Sequence, residues 1–445
     1  MKMHVKNIFL MLALLANVYQ GSPQNFVLTS SPEVESNPHC VIATDVNGDS
    51  NVDLICANAG TVINPSNTLS VLTNNGNGFF GFYAAYTVGS APYSIITADV
   101  NGDSKVDLIS VNFDDNTLSV LTNNGSGGFG SNATYTVESH PYSIVAADVN
   151  GANHLDLICA NSKDNSLLVL TNDGSGSFGS NATYAVGSTP VSVAAADVNG
   201  DGKVDLICAN SKSSSLSVLT NDGSGGFVLA STLATSQPNS VVAADVNGDG
   251  YVDLICANKG YGTLSVFTNN GYGGFTIAST NNVGFDPQSV IAADVNGDGH
   301  LDLVCANLGI YELPENILVN GNTLSVLTND GSGGFVLASI PFLGVGPASI
   351  TAADVNGDGK LDLISANYGS TLSVLINVPT LSINSLGNHI LVSWPSSWTN
   401  WTLLQNSNLI ATNWSASTDI SDDGTNKSLT VTPSVGNLLF RLSHP

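Results

Sequence analysis

Basic residues are scarce in this chain: 10 Lys and Arg stand against 35 Asp and Glu in 445 residues, a formal net charge of −25. So few cations cannot track a row of phosphates, which argues against nucleic acid and anionic lipid surfaces as partners. Tryptophan is absent from residues 1–379, so the ring that best stacks on sugars is missing from most of the chain. No segment sustains a helical apolar spacing, and β-branched residues fill the apolar runs, which excludes a helical fold. After about residue 22, Gly, Asn, Asp or Ser interrupts every apolar run before it is long enough to cross a bilayer as a helix. The nucleophile elbow, the phosphate loop and the zinc-protease helix are missing too. The seven His, among them His39, His140, His154 and His300, are scattered without metal-ligand spacing. No catalytic residue and no organic-cofactor contact is assigned, and the chain reads as a non-enzyme.

Cysteine is sparse and unusually placed. Cys56, Cys159, Cys208, Cys256 and Cys305 occupy one position of an internal repeat, where two other copies carry Ser110 and Ser365. A disulfide needs Cα atoms within about 7 Å, closer than equivalent positions of separate repeats are expected to come. These five therefore read as small buried core residues. Cys40 replaces the Ser of later copies (Ser94, Ser143, Ser192) and could sit near Cys56 across a hairpin, so a disulfide between the two stays open. The chain starts with Lys2, His4 and Lys6, runs apolar from Ile8 to Val18, and turns small and polar at Gly21 and Ser22. That is the pattern of a secretory signal peptide over residues 1–22, and it predicts a secreted or cell-surface protein.

What the sequence does contain is a repeat. Variations on Asp-Val-Asn-Gly-Asp-Gly-x-Val-Asp-Leu-Ile-Cys-Ala-Asn begin at Asp45, Asp99, Asp148, Asp197, Asp245, Asp294 and Asp354, at intervals of 54, 49, 49, 48, 49 and 60 residues. Such a period fits one four-stranded propeller blade per copy. In the fifth copy the spacing predicts strands over 240–244, 254–258, 264–269 and 275–279, with the acidic loop 245–253 in the first hairpin and a Gly-rich turn at 270–274. The run Leu254-Ile255-Cys256-Ala257 does not alternate with polar residues, so both of its faces must be covered, as they are when a blade is stacked between two others. The last copy supplies three strands, and Gln24-Asn25-Phe26-Val27-Leu28 matches Gly225-Gly226-Phe227-Val228-Leu229, so the N-terminal segment is expected to complete the seventh blade. From about residue 380 the motif ends, and Trp394, Trp398, Trp401 and Trp414 appear among short apolar runs. The expected fold is all-β: a seven-bladed β-propeller over residues 23–379, closed by an N-terminal strand, then a small β-sandwich-like module over 380–445.

The acidic loop carries the chemistry. Its positions 1, 5 and 9 are acids, and three carboxylates so close repel, each pair by roughly 3 kcal/mol at ~5 Å and an effective dielectric of about 20. A hard cation removes that cost. Side-chain oxygens come from position 1 (Asp45, Asp99, Asp148, Asp197, Asp245, Asp294, Asp354) and position 3 (Asn47, Asn101, Asn150, Asn199, Asn247, Asn296, Asn356). Position 5 adds Asp49, Asp103, Asp201, Asp249, Asp298 and Asp358, and position 9 adds Asp53, Asp107, Asp156, Asp205, Asp253, Asp302 and Asp362. At position 7, Asn51, Lys105, Lys203, Tyr251, His300 and Lys360 offer backbone carbonyls. An all-oxygen set favours Ca²⁺ over zinc or copper, with up to seven sites. The third loop has Ala152 at position 5 and is expected to bind weakly or stay empty. An EF-hand would place a bidentate Glu at position 12, where this chain has Cys or Ser, so each site is expected to be weak, at roughly 0.1 to 1 mM. A metal-free loop of Asx turns is the alternative, although a turn does not require three acids.

Asp-x-Asn-Gly-Asp-Gly-x-x-Asp-Leu followed by Asn-Asp-Gly-Ser-Gly-Gly-Phe resembles the FG-GAP or VCBS repeat of integrin-α-like propellers, over about 350 residues. The resemblance implies a seven-bladed propeller with Ca²⁺ in its hairpin loops, in secreted or surface proteins that bind or adhere. The tail, with Leu391-Val392-Ser393-Trp394-Pro395 and Phe440-Arg441-Leu442, looks like C-terminal modules of secreted bacterial proteins.

Two connections between second and third strands are lengthened, at 59–68 and 308–323, in the blades flanking the seventh. They are expected to form a partner-binding rim, with Ile310, Tyr311, Leu313 and Ile317 as its apolar contacts. The expected function is a calcium-stabilised, non-catalytic binding or adhesion propeller that engages an extracellular protein or glycan. The competing classes are a propeller-based hydrolase or lyase acting on extracellular polysaccharide, which His or carboxylates converging in the central channel would favour, and a lectin.

Overall fold

The computed structural model describes residues 25–312, 317–319, 321–343, 346–407, 413–432 and 438–444, without the side chains of 131–132, 180–181, 310–312 and 317–319. The expected signal segment lies outside these residues. So do Leu313 and the side chains of Ile310, Tyr311 and Ile317. Among the described residues there is no helix. The chain divides into two units, the larger comprising residues 28–357 and 361–376.

In the larger unit each copy of the repeat builds one four-stranded antiparallel sheet, and among the described residues there are seven of them. The fifth consists of Pro238–Ala244, Asp253–Asn258, Thr263–Asn269 and Phe275–Asn282. Its first strand starts two residues before the predicted one, because Pro238 pairs with Asn258 across a bulge. A proline without an N–H is tolerated at such a first position. The last sheet takes Pro347–Ala353, Asp362–Asn367 and Thr371–Val378 from the end of the repeats and Asn25–Ser30 from the start of the chain. There Thr29 Oγ1 donates to the Val374 carbonyl at 3.3 Å, and Leu372 N to the Pro32 carbonyl at 3.0 Å. The longer connection of the sixth sheet forms a small hairpin, Ile310–Glu312 with Ile317–Val319.

Side chains on a strand alternate between faces, so every second residue of a second strand serves one neighbouring sheet and the rest serve the other. Leu254 and Cys256 pack with Val198, Ile207 and Val218 of the fourth sheet, whereas Ile255 and Ala257 pack with Val290 and Leu303 of the sixth. This is why the run is apolar throughout. The first strands touch in succession from sheet one to sheet seven, and Pro347–Ala353 then touches Pro38–Thr44 again, so the contacts return to their start.

The same alternation settles the cysteines. Cys40 pairs with Ala57 and Val41 with Cys56, so the two thiols project from opposite faces of the first sheet. The disulfide left open by the sequence is not formed, and all six cysteines are free. The five repeat cysteines are fully buried, as expected of small core residues.

The smaller unit contains two sheets. One orders Ser382–Leu386, His389–Pro395, Asn426–Val431 and Ser421–Asp422, and the other Ser415–Ala416, Thr402–Asn406 and Leu439–Ser443. Trp394, 1% exposed, packs between them with Val392, Leu403, Leu429, Phe440 and Leu442. Trp414 lies under the Arg441 guanidinium, 4.5 Å from its ring centre.

Neighbouring sheets of the larger unit are also joined by the last Asn of the third strand in six of them. Asn221 Nδ2 donates to the Val204 carbonyl of its own loop at 2.8 Å and to the Val149 carbonyl of the preceding loop at 2.9 Å. Asn123, Asn172, Asn269 and Asn329 repeat the pattern, and Asn74 links the first sheet to Val355 of the seventh. Asn221→Leu leaves two carbonyls without their donor, at about 1–3 kcal/mol for each orphaned group. The expected outcome is a clear fall in the urea midpoint, while the exposed Ser224→Ala control leaves it unmoved.

Candidate functional site

Each acidic loop is built by its own carboxylates. In the fourth loop Asp197 Oδ1 accepts the Gly200 N–H at 2.8 Å and Oδ2 accepts the Gly202 N–H at 2.7 Å. Asn199 Oδ1 accepts the Asp201 N–H at 2.9 Å, and Asp201 Oδ1 the Lys203 N–H at 3.0 Å. Gly200 has a φ of 76° and Gly202 of 81°, the left-handed conformation that glycine adopts without strain. Position 9 is different. Asp205 is fully buried, its Oδ2 accepting the Val198 N–H at 3.1 Å and its Oδ1 the Asn221 N–H at 2.9 Å. One carboxylate thus ties the loop to the end of the third strand, and the other loops repeat this with Asp53, Asp107, Asp156, Asp253 and Asp302.

Among the described residues no three His, Cys, Asp or Glu side chains come close enough together to hold a metal ion. The donors fit a hard cation in their chemistry, since they are all oxygens. An ionised carboxylate also keeps free lone pairs after accepting one N–H per oxygen. An ion would have to draw positions 1, 5 and 9 closer. The third loop separates turn from charge: with Ala152 at position 5, Asp148 still accepts the N–H groups of Gly151, Ala152 and Asn153. The position-5 acid of the other loops therefore adds one bond, to the position-7 N–H, and a charge that the turn does not need. In the second and fourth loops a lysine partly offsets it, Lys105 lying 3.5 Å from Asp103 and Lys203 3.7 Å from Asp201.

Burial raises the pKa of the position-9 carboxyls, and the charges of nearby loop acids add to the effect while the N–H bonds oppose it. Asp302 is pushed up to about 6, chiefly by burial and with Asp298 contributing.

A second cluster lies at the other end of the first strands from the acidic loops. His39, Tyr93 and Tyr142 each follow the proline that begins the first strand of sheets one, two and three. His39 stacks on Tyr93 with ring centres 4.2 Å apart, Tyr93 on Phe113 at 4.4 Å, and Phe113 on His140 at 4.5 Å. Tyr142 meets Tyr93 edge-on at 5.3 Å, and Tyr368 meets His39 at 6.0 Å. The matching positions of sheets five and six are polar: Asn239 Nδ2 donates to the Gln288 carbonyl at 2.9 Å, and nearby Lys259 pairs with Asp286 at 3.6 Å.

Burial presses His39 down to about 4, the Lys259 charge adding to the effect and the hydrogen bond to the Tyr93 carbonyl opposing it. That bond, 3.0 Å from Nδ1 to an atom that can only accept, puts the proton of the neutral ring on Nδ1 and leaves the Nε2 lone pair free. Burial also pushes Tyr142 up to about 12, with Tyr93 and Asp286 contributing. The histidines are scattered along the sequence, yet His39 and His140 share this stack. The signal was the variable residue after each repeat proline: His39, Tyr93, Tyr142, Val191, Asn239, Gln288 and Ala348.

Sheets of four antiparallel strands, one per repeat and each with an Asp-rich first hairpin, define a class of β-propeller. The FG-GAP-like repeat model matches residues 45–110, 99–157, 148–208, 197–256, 245–305 and 313–365, and the chain belongs to that family. No curated protein matches the chain in sequence. Among solved structures, BBS1N in complex with ARL6DN is similar with a TM-score of 0.57 at 11% identity, over 79% of this chain and 96% of that one. A candidate 6-phosphogluconolactonase from Bacteroides uniformis is similar with a TM-score of 0.55 at 13% identity, over 71% of this chain and 88% of that one. A Lactobacillus plantarum protein reaches a TM-score of 0.51 at 16% identity, over 71% of this chain and 87% of that one. At these identities the likeness concerns the propeller fold.

A carboxyl whose folded pKa lies above its unfolded value binds its proton more tightly in the native state. Its contribution to stability therefore falls as pH rises from about 4 through about 6. With chelator present, the wild type is expected to lose stability relative to Asp302→Asn across that window in urea titrations. Curves that stay parallel would contradict the assignment.

Proposed function

We propose that the chain is a seven-bladed, calcium-stabilised propeller, closed by its N-terminal strand, that is exported and binds an extracellular protein or glycan without catalysis. The aromatic mouth carries this reading. It presents the stacked rings of His39, Tyr93 and Phe113 on one side and amides with a Lys–Asp pair on the other, which is a surface made for contact. The return of the first-strand contacts to their start supports seven blades. Support for calcium comes from the charge that six loops carry beyond the needs of their turns. The loops then act as ion-dependent braces at one end of the sheets, leaving the opposite end free for a partner.

A hydrolase or lyase acting on polysaccharide is the second reading, since a histidine with a free Nε2 does sit in the mouth. It is the weaker one, because Asp286 is committed to Lys259 at 3.6 Å. A lectin remains within the binding reading, with tyrosines doing the stacking that Trp would do elsewhere.

At about 1 mM Ca²⁺ and a dissociation constant of about 0.1 mM, one site adds about 1.4 kcal/mol, so six sites matter where one does not. Calorimetric titration at millimolar calcium is expected to show heat, and EDTA to lower the melting temperature. No heat together with an unmoved melting temperature would end the calcium reading. In pull-downs from native extracellular material, the Tyr93→Ala/Tyr142→Ala double variant, assayed below its lowered melting temperature and shown by circular dichroism to be folded, should lower capture at least tenfold. Undiminished capture would move the binding surface away from the mouth.

A further inference from the structure

A cavity of about 460 Å³ opens in the second sheet, lined by Gly89, Asp115, Thr117, Ser119 and Thr134 among others. Gly89 stands three residues ahead of the proline that begins the first strand. The same place holds Glu35 before the first sheet and Glu138 before the third. Those two glutamates use it. Glu138 accepts the Ser166 hydroxyl on one carboxylate oxygen and the Thr183 hydroxyl on the other, the latter at 3.0 Å. Glu35 likewise accepts the Thr68 hydroxyl.

The hydroxyls of the second sheet are equivalent to these. Thr117 pairs with Asn112 as Ser166 pairs with Asn161 and Thr68 with Asn58. Thr134 pairs with Ser119 as Thr183 pairs with Leu168. The second sheet therefore keeps the two donors that hold a carboxylate in the third and lacks the side chain that would supply one. Nor can position 89 supply it, because a Cβ on Gly89 would lie 2.7 Å from the Asn112 side chain. Whatever occupies this slot enters from outside.

We infer that the slot binds the carboxylate of a small acidic ligand, with Thr117 and Thr134 donating to its two oxygens as Ser166 and Thr183 donate to Glu138. Asp115 does not forbid an anion. Its Oδ2 accepts the Ser90 N–H at 2.7 Å, and the equivalent Asp164 accepts the Ser139 N–H at 2.6 Å while Glu138 occupies the third slot beside it. Two carboxylates already share that arrangement.

The test is an NMR titration of the full chain with sodium glucuronate, with glucose as the neutral control. Glucuronate is expected to bind at this slot and at its fourth-sheet counterpart, where Gly187 stands before Ser215 and Thr232 in the same register, and glucose at neither. Thr134→Val, on the outer strand and expected to fold, and Thr117→Val should each weaken glucuronate at the second-sheet slot at least tenfold. Glu138→Ala empties the third slot and should raise the stoichiometry by one. No binding of glucuronate, equal binding of glucose, or binding indifferent to both threonine variants would overturn the inference, and none of these outcomes bears on the mouth.

Discussion

A carboxylate buried without a counter-charge is tolerable only when backbone N–H groups close on it, and position 9 of each acidic loop meets that condition. Asp205 takes its two N–H groups from parts of the chain that are distant in sequence, one from its own loop and one from the end of the third strand. The residue donating the second, Asn221, then reaches with its side chain to the preceding sheet. Loop, hairpin and neighbouring sheet are thus fixed by two side chains, and the repeat makes the same fastening around the unit. The apolar second strands supply most of the burial, but they are nearly interchangeable between sheets. The Asp–Asn pair sets the height at which they meet.

Because those fastenings gather at one end of the strands, the opposite end is released from structural duty. The residues after the starting prolines vary there from His to Tyr to Asn and Gln, and the connections differ in length. One end is constrained by electrostatics and backbone bonding, and the other is left to diversify. The aromatic mouth belongs to the second kind. The slot beside Gly89 does too, since its occupant changes from sheet to sheet while its hydroxyls persist.

What could be read in the sequence follows the same division. Strand order and count within each repeat were legible because the Asp-rich hairpin and the Gly-rich turn recur at nearly constant spacing. Coverage of both faces of Leu254–Ala257 was legible because polar alternation was missing. The strand ends were not, since Pro238 and Asn282 join the sheet through pairings that no local pattern announces. Position 9 read as one more loop acid, and its burial emerges only when Asn221 is seen to bond to it from 16 residues away. The mouth was hidden for a related reason: His39, Phe113 and His140 sit in different repeats and share no motif.

The outer strand of the last sheet comes from the opposite terminus of the chain, with Thr29 bonded to a carbonyl 345 residues later. A polypeptide emerging from its N-terminus therefore has a strand with nothing to pair with until nearly all the repeats have followed it. Until then two sheet edges are open, and the early strand of one molecule could as well complete the late sheet of another. Loss of Asn25–Ser30 or of Thr371–Val378 would open the same sheet, so the two losses should converge on one defect, self-association through an unfilled edge.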